Sequence, residues 1–266
     1  MTIEICDIPQ RIICLTEESV ETLSLLGRLN LVVGVSIFVK RPEAAQNLPK
    51  VSAFTDSNFE KILALKPDLI LGFSDIQKDI ARELIARGQD VWISNQRSVK
   101  EIFEYVLRLG SLVDKRAEAV ELIQKWQRKI EAIQTEVARW PRRPRVYFEE
   151  WDDPAITAIK WVSELIEICG GENIFAEKSQ SSLAKDRICD LGQIPDLNPD
   201  FIFGCWCGKK VKLPSFARRE GWDNIKAIQE GRVFELGPEI FLQPGPALFE
   251  DGLDILMSYF RSYQEE

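Results

Sequence analysis

Histidine is absent from all 266 residues. Without an imidazole the chain cannot build Ser-His-Asp or Cys-His catalysis, and every zinc site that uses His is excluded with it. A basic excess is lacking too. Thirty-four Lys and Arg stand against 42 Asp and Glu, a net charge of −8 and the wrong sign for nucleic acid. No stretch approaches the roughly 18 consecutive apolar residues of a spanning helix. Neither G-x-G-x-x-G nor G-x-x-x-x-G-K-[ST] occurs, so nucleotide binding has no motif support. The six cysteines, at 6, 14, 169, 189, 205 and 207, follow no framework spacing and read as reduced thiols. Cys205-Trp206-Cys207 has C-x-C spacing with no second pair nearby, so no metal is expected there. No basic start followed by an apolar stretch precedes the first strand-like run. The chain as written is therefore expected in the cytoplasm, or in the periplasm or at the surface if a leader has been removed.

What is present is a step written twice. Asn58 to Gly72 reads NFEKILALKPDLILG and Asp190 to Gly204 reads DLGQIPDLNPDFIFG. The two align without a gap, with Pro67-Asp68 on Pro199-Asp200 and Gly72 on Gly204. Each copy predicts a short amphipathic helix, a Pro that cannot continue it, and an apolar strand of the kind a buried parallel sheet requires. The restart of PQRIICL at RVYFE, and of ETLSLLG at ELIEICG, extends the repeat to two related lobes.

Strands are predicted at Pro9 to Leu15, Leu31 to Val35, Leu69 to Gly72 and Asp90 to Ser94, with a loop over Ser36 to Lys50 and helices between. Thr16 is the expected N-cap of the first helix. Asp114 to Trp140 contains no Gly or Pro, and about 27 helical residues would run roughly 40 Å. Pro141 and Pro144 end it. The predicted fold class is α/β: two Rossmann-like lobes with parallel sheets, residues 1–112 and 142–266, joined by one long interlobe helix over 113–141. Late elements are a strand at Gly231 to Leu236 and a terminal helix from about Ala247 to Tyr263.

Ligands of open α/β sheets sit beyond the carboxyl ends of the strands. The loops expected there supply Glu17, Phe54 and Phe73 from the first lobe, and Glu150, Trp151, Trp161, Trp206 and Phe241 from the second. Aromatic walls with few polar groups suit a large, flat, partly apolar molecule. Trp126 and Trp140 are expected to pack on the long helix, and Trp92 in the core.

Together PQRIICLTEESVETLSLLG, NLPKVSAFTDSNFEKILALKPDLILG, WVSELIEICGGENIF, LNPDFIFGCWCG and GRVFELGPEIFLQPGPALFEDGLDIL resemble the cobalamin- and iron-siderophore-binding proteins of ABC importers. The resemblance covers nearly the whole chain in the family's order. It implies two lobes that move little, non-catalytic binding of a corrinoid, siderophore or other tetrapyrrole-sized ligand between them, no resident cofactor, and a monomer that docks a permease. Phe54 falls on the aromatic of the family's lysine-valine-x-x-aromatic motif, and Phe73 on the aromatic after the motif strand. Trp151, Trp161 and Trp206 would be the aromatics of the second lobe. The family docks its permease through one acid per lobe. Glu60 holds that position in the first lobe, and the aligned position in the second is Gly192, with Asp190 close by. The rival expectation is a cytoplasmic enzyme of tetrapyrrole or cofactor metabolism using Glu17, Glu150 or Asp152 as acid or base.

Overall fold

The computed structural model describes residues 6–265, and these form two compact units. The first comprises the residues up to Gln96 together with Lys100–Lys125, and the second Arg97–Val99 with Trp126–Glu266.

In the first unit the elements alternate: β1 (Ile12–Cys14), α1 (Glu17–Leu25), β2 (Val32–Ser36), β3 (Lys50–Ser52), α2 (Phe59–Ala64), β4 (Leu69–Phe73), α3 (Lys78–Ala86), β5 (Val91–Ser94) and α4 (Val99–Leu112). The five strands are parallel in the order β3-β2-β1-β4-β5, with Ile13 opposite Ile70 and Gly72 opposite Ile93. Residues of β1 and β4 are buried on both faces, as a sheet covered by helices requires. Ile13, Leu15, Val51, Ile62, Ile70 and Leu84 make one core. The loop expected over Ser36 to Lys50 gives way at its end to β3, a three-residue strand. Two prolines and a charged first residue hid it.

The long helix α5 runs Arg116–Val137, 22 residues or about 33 Å, shorter than expected by two residues at its start, where Asp114 adopts a positive φ of 53°, and by three at its end, where the chain turns over 138–140. Its start belongs to the first unit, where Ala119 is buried against Gly110. Its remainder belongs to the second, where Trp126 stacks on Phe249 at 4.9 Å.

The second unit contains β6 (Arg145–Asp152), β7 (Ala155–Thr157), α6 (Lys160–Ile168), β8 (Glu172–Asn173), α7 (Ile194–Leu197), β9 (Phe201–Gly204), α8 (Lys226–Gln229), β10 (Val233–Glu235), α9 (Pro238–Phe241) and α10 (Leu253–Glu265). Strand order is β10-β9-β6-β7, with β8 added against β6. The expectation of wholly parallel sheets is corrected here. Strand β7 is antiparallel to β6, because the two are joined by a tight turn at Asp153-Pro154 that leaves no room for a crossover. The terminal helical run begins at Ala247 as expected, with its first turn, Leu248–Gly252, of π type before α10.

The repeated step proves to be one device built twice. Lys66 and Asn198, each just before the proline, end their helices in left-handed geometry at φ 47° and 43°. The following Asp then receives the backbone of the neighbouring strand. Arg11 N donates to Asp68 Oδ1 at 2.9 Å, and Arg145 N donates to Asp200 Oδ2 at 2.8 Å. The side chains repeat the pattern, Arg11 donating to the Leu65 carbonyl and Arg145 to that of Leu197. The step closes on a glycine for one reason in both places. A Cβ at Gly72 would stand 2.7 Å from Gln77 Oε1, and one at Gly204 2.5 Å from Val211 Cγ1. Each glycine lets the next loop fold back over the end of its strand.

Candidate ligand-binding site

The carboxyl ends of the strands carry the predicted candidates, and each unit arranges its own. In the first, Gln77 is the organising residue, fully buried at 0% exposure. Its Oε1 accepts from Phe73 N at 2.9 Å, and its Nε2 donates to the Leu15 and Phe54 carbonyls, both at 3.3 Å. One amide thus gathers the ends of β1 and β4 with the loop after β3. Sequence reasoning missed Gln77; its only trace was the glycine it forces at 72. Phe73 is buried, whereas Phe54 is half-buried with its ring 6.0 Å from that of Phe38.

Thr16 stands at the N-cap of α1 as expected, but its side chain caps no backbone N–H. Its hydroxyl donates to Glu18 Oε1 at 2.6 Å instead. Glu18 is 1% exposed, and its Oε2 has no hydrogen-bond partner among the described residues. Burial pushes this carboxyl up to about 7; the Thr16 bond works against that rise and the charge of Glu17 adds to it. Glu17 itself is buried beside it. Trp92, expected in the core, is half-buried. It lines a cavity of about 290 Å³ with Tyr105, Glu101 and Glu104.

In the second unit, β6 ends in Glu149-Glu150-Trp151-Asp152, and three of these four residues are acids. Each acid takes a base from a different downstream segment. Glu149, at 0% exposure, receives both Arg219 amines at 2.6 and 2.8 Å, the Tyr147 hydroxyl at 2.8 Å and Trp206 Nε1 at 3.2 Å. Glu150 receives both amines of Arg187, which is itself 2% exposed. Asp152 pairs with Lys209. Burial alone would raise the Asp152 carboxyl, but the Lys209 bond and charge outweigh it and hold it below the ordinary range. One strand end therefore pins three loops by charge.

The predicted aromatics separate accordingly. Trp151 is half-buried, with its Nε1 donating to Asp153 O at 2.9 Å and the Lys209 ammonium 4.0 Å from its ring centre. The same ammonium lies 4.9 Å from the ring of Trp206. Trp206 is 2% exposed and packs in the core cluster with Tyr147, Phe216 and Trp222. Trp161, also 2% exposed, donates to the carbonyl of Phe241, which is fully buried. Phe54 and Trp151 are thus the accessible aromatics among the candidates, and Trp161, Trp206, Phe73 and Phe241 support the strand ends from within. Cys205 is buried, with its thiol pushed up by that burial, while Cys207 is exposed. Among the described residues no group of three or more His, Cys, Asp or Glu could hold a metal ion.

Glu60 lies exposed on the first turn of α2, its Oε1 3.5 Å from Arg87 Nη1. Asn58 caps that helix by accepting from Lys61 N. Asp190 caps the equivalent turn of the second unit by accepting from Gly192 N at 2.9 Å. Both residues are N-caps, Asn58 bonding the N–H three residues on and Asp190 the N–H two residues on.

Two lobes of this construction, bearing aromatic and charged side chains at their strand ends, define a class of ligand-binding protein. The family model for the periplasmic binding proteins matches residues 12–240, and the chain belongs to that family. Among curated relatives, the uncharacterised ABC transporter substrate-binding lipoprotein YvrC of Bacillus subtilis is 25% identical over 251 residues, covering 91% of this chain and 77% of its own length. The vitamin B12-binding protein of Vibrio vulnificus YJ016 is 30% identical over 170 residues, 62% of each chain. The match thus spans less than two thirds of that relative. Among solved structures, the apo periplasmic haem-binding protein RhuT of Roseiflexus sp. RS-1 superposes with a TM-score of 0.80 at 19% identity, over 95% of this chain and 98% of that one, a likeness of fold. One relative is named a lipoprotein and one structural neighbour a periplasmic protein, and neither supports the cytoplasmic expectation.

Proposed function

We propose that the protein is the substrate-binding component of an ABC importer for a corrinoid or another tetrapyrrole- or siderophore-sized ligand, and that it works without catalysis in the periplasm or at the cell surface. The observation that carries this reading is the accessible indole of Trp151. It stands at the carboxyl end of β6, half-buried against the core cluster, held in place by Asp153 O and with the Lys209 ammonium over its ring. The exposed part of the indole beside that ammonium offers an apolar surface next to a positive charge, which suits a macrocycle carrying polar substituents. The B12-binding and haem-binding names among its relatives agree in ligand size and shape.

Two of the three carboxylates of the enzyme reading, Glu150 and Asp152, are engaged, and Glu17 is buried. Glu150 and Asp152 are clasped by Arg187 and Lys209, and a general acid or base needs a proton it can exchange near neutrality. The relatives named above are binding and transport proteins. Trp151→Ala should weaken the binding of cyanocobalamin, or of whichever ferric chelate the protein takes, by roughly 1–3 kcal/mol with the melting temperature little changed. Calorimetry showing wild-type affinity in that variant would remove Trp151 from the site.

Glu60 is the candidate contact with the permease, as a single exposed carboxylate with Gly192 at its counterpart. Paired acids meet two basic pockets at once, and the second contact costs little after the first. With one acid only, docking should be weak and should depend on Glu60 charge. Co-purification with permease complexes in low salt should drop severalfold in Glu60→Lys. Undiminished recovery would assign docking to other residues.

A further inference from the structure

At the edge of the first unit's sheet, β3 and the loop after it border an open pocket of about 210 Å³. Three side-chain polar atoms of the residues that line it have nothing to bond. Lys50 Nζ, Ser52 Oγ and Ser57 Oγ are each shielded from solvent and have no hydrogen-bond partner among the described residues. Ser52 is 4% exposed. The arrangement follows from strand geometry. Successive residues of β3 face opposite sides, so Val51 enters the core while Lys50 and Ser52 share the other face. Ser57 is brought alongside by an antiparallel bridge to Ser52. Asp56 is the one acid on the pocket wall, and its Oδ1 is engaged by Ser57 N at 2.8 Å.

We propose that this pocket is a binding site for a small oxyanion: Lys50 supplies the charge, and the hydroxyls of Ser52 and Ser57 supply the hydrogen bonds. An enclosed ammonium without a counterion is costly, and so is each enclosed hydroxyl without a partner. Burial holds the Lys50 amine below its ordinary range, the condition an arriving anion would relieve. One phosphate, sulfate or carboxylate group satisfies all three atoms together, through charge-assisted bonds. Water could bridge the hydroxyls but leaves the ammonium uncompensated. The oxyanion is either a free ion or a group carried by the principal ligand; the chemistry at Lys50 is the same. The inference does not depend on which ligand the protein transports.

The test uses the full chain in a buffer free of phosphate and sulfate, titrated calorimetrically with inorganic phosphate and separately with sulfate and acetate. Saturable one-to-one binding of at least one of these is expected. Lys50→Met should weaken it at least about tenfold and Ser52→Ala about threefold or more, while Lys100→Met, on an exposed helical face, leaves it unchanged. Without the anion, Lys50→Met should melt no lower than wild type, since it removes an unpaired enclosed charge, and its melting temperature should no longer rise with added anion. Repeating the phosphate titration with saturating cyanocobalamin separates the sources: independent binding marks a free-ion site, and competition marks a group of the larger ligand. Absence of saturable binding for all three anions would overturn the proposal. So would equal affinity in wild type, Lys50→Met and Ser52→Ala, or an equal loss in Lys100→Met.

Discussion

Replacing Arg219 by Met should lower the unfolding free energy by about 3–5 kcal/mol, the cost of stranding one partner of an enclosed ion pair. Glu149 is 0% exposed and takes two of its four bonds from Arg219. The Tyr147 hydroxyl and the Trp206 indole remain, but neither carries charge. The guanidinium also lies 4.5 Å from the ring of Phe216 and 4.6 Å from that of Trp222, so the change removes packing as well as charge. Glu149→Gln in the same chain should restore part of the loss, because a neutral amide is cheaper to leave enclosed than a carboxylate. Urea unfolding measures both. A single-variant cost below about 1 kcal/mol would mean that water reaches Glu149 and that the pair is a surface contact in energetic terms.

The second large effect is in pH dependence. Burial, with a contribution from Glu17, raises the Glu18 carboxyl from an ordinary 4.5 to about 7 in the folded chain. A raised folded value means that the native state holds the proton more tightly than the unfolded chain does. The stability this lends is complete below 4.5 and is lost as pH rises through 7. On full ionisation the loss is about 3 kcal/mol, taking about 1.4 kcal/mol per unit. Glu18→Gln carries no such titration. The variant should match wild type near pH 4.5 and exceed it by up to about 3 kcal/mol at pH 8. Urea unfolding at both values decides the matter, and parallel pH profiles would show that Glu18 is solvated.

Much of the fold was legible because its signal is local. Pro67-Asp68 and Pro199-Asp200 announce the helix-to-strand step within a few residues, and the structure shows why each Asp is there: it holds the backbone of the next strand. Gly72 and Gly204 were legible as strand ends, but what they make room for, Gln77 and Val211, was not. The contacts that organise the site are long-range. Gln77 reaches Leu15 62 positions away, Arg219 reaches Glu149 over 70 and Arg187 reaches Glu150 over 37. No spacing rule relates such positions. The aromatics were legible as a group, yet not which of them face outward, because Trp151 and Trp206 differ by the loop that Lys209 anchors and not by local composition. Lys50 read as the last residue of a loop; only the shielding of its ammonium sets it apart.

The central claim, binding of a macrocycle or iron chelate without chemistry, is tested most directly by equilibrium dialysis of the purified protein. The probes are cyanocobalamin, a ferric tris-hydroxamate chelate and haemin, with mass spectrometry of the ligand recovered afterwards. The account predicts saturation at one ligand per chain for at least one of the three, and recovery of that ligand with its mass unchanged. Failure of all three to saturate, or recovery of a bound ligand as an altered product that accumulates with time, would contradict it.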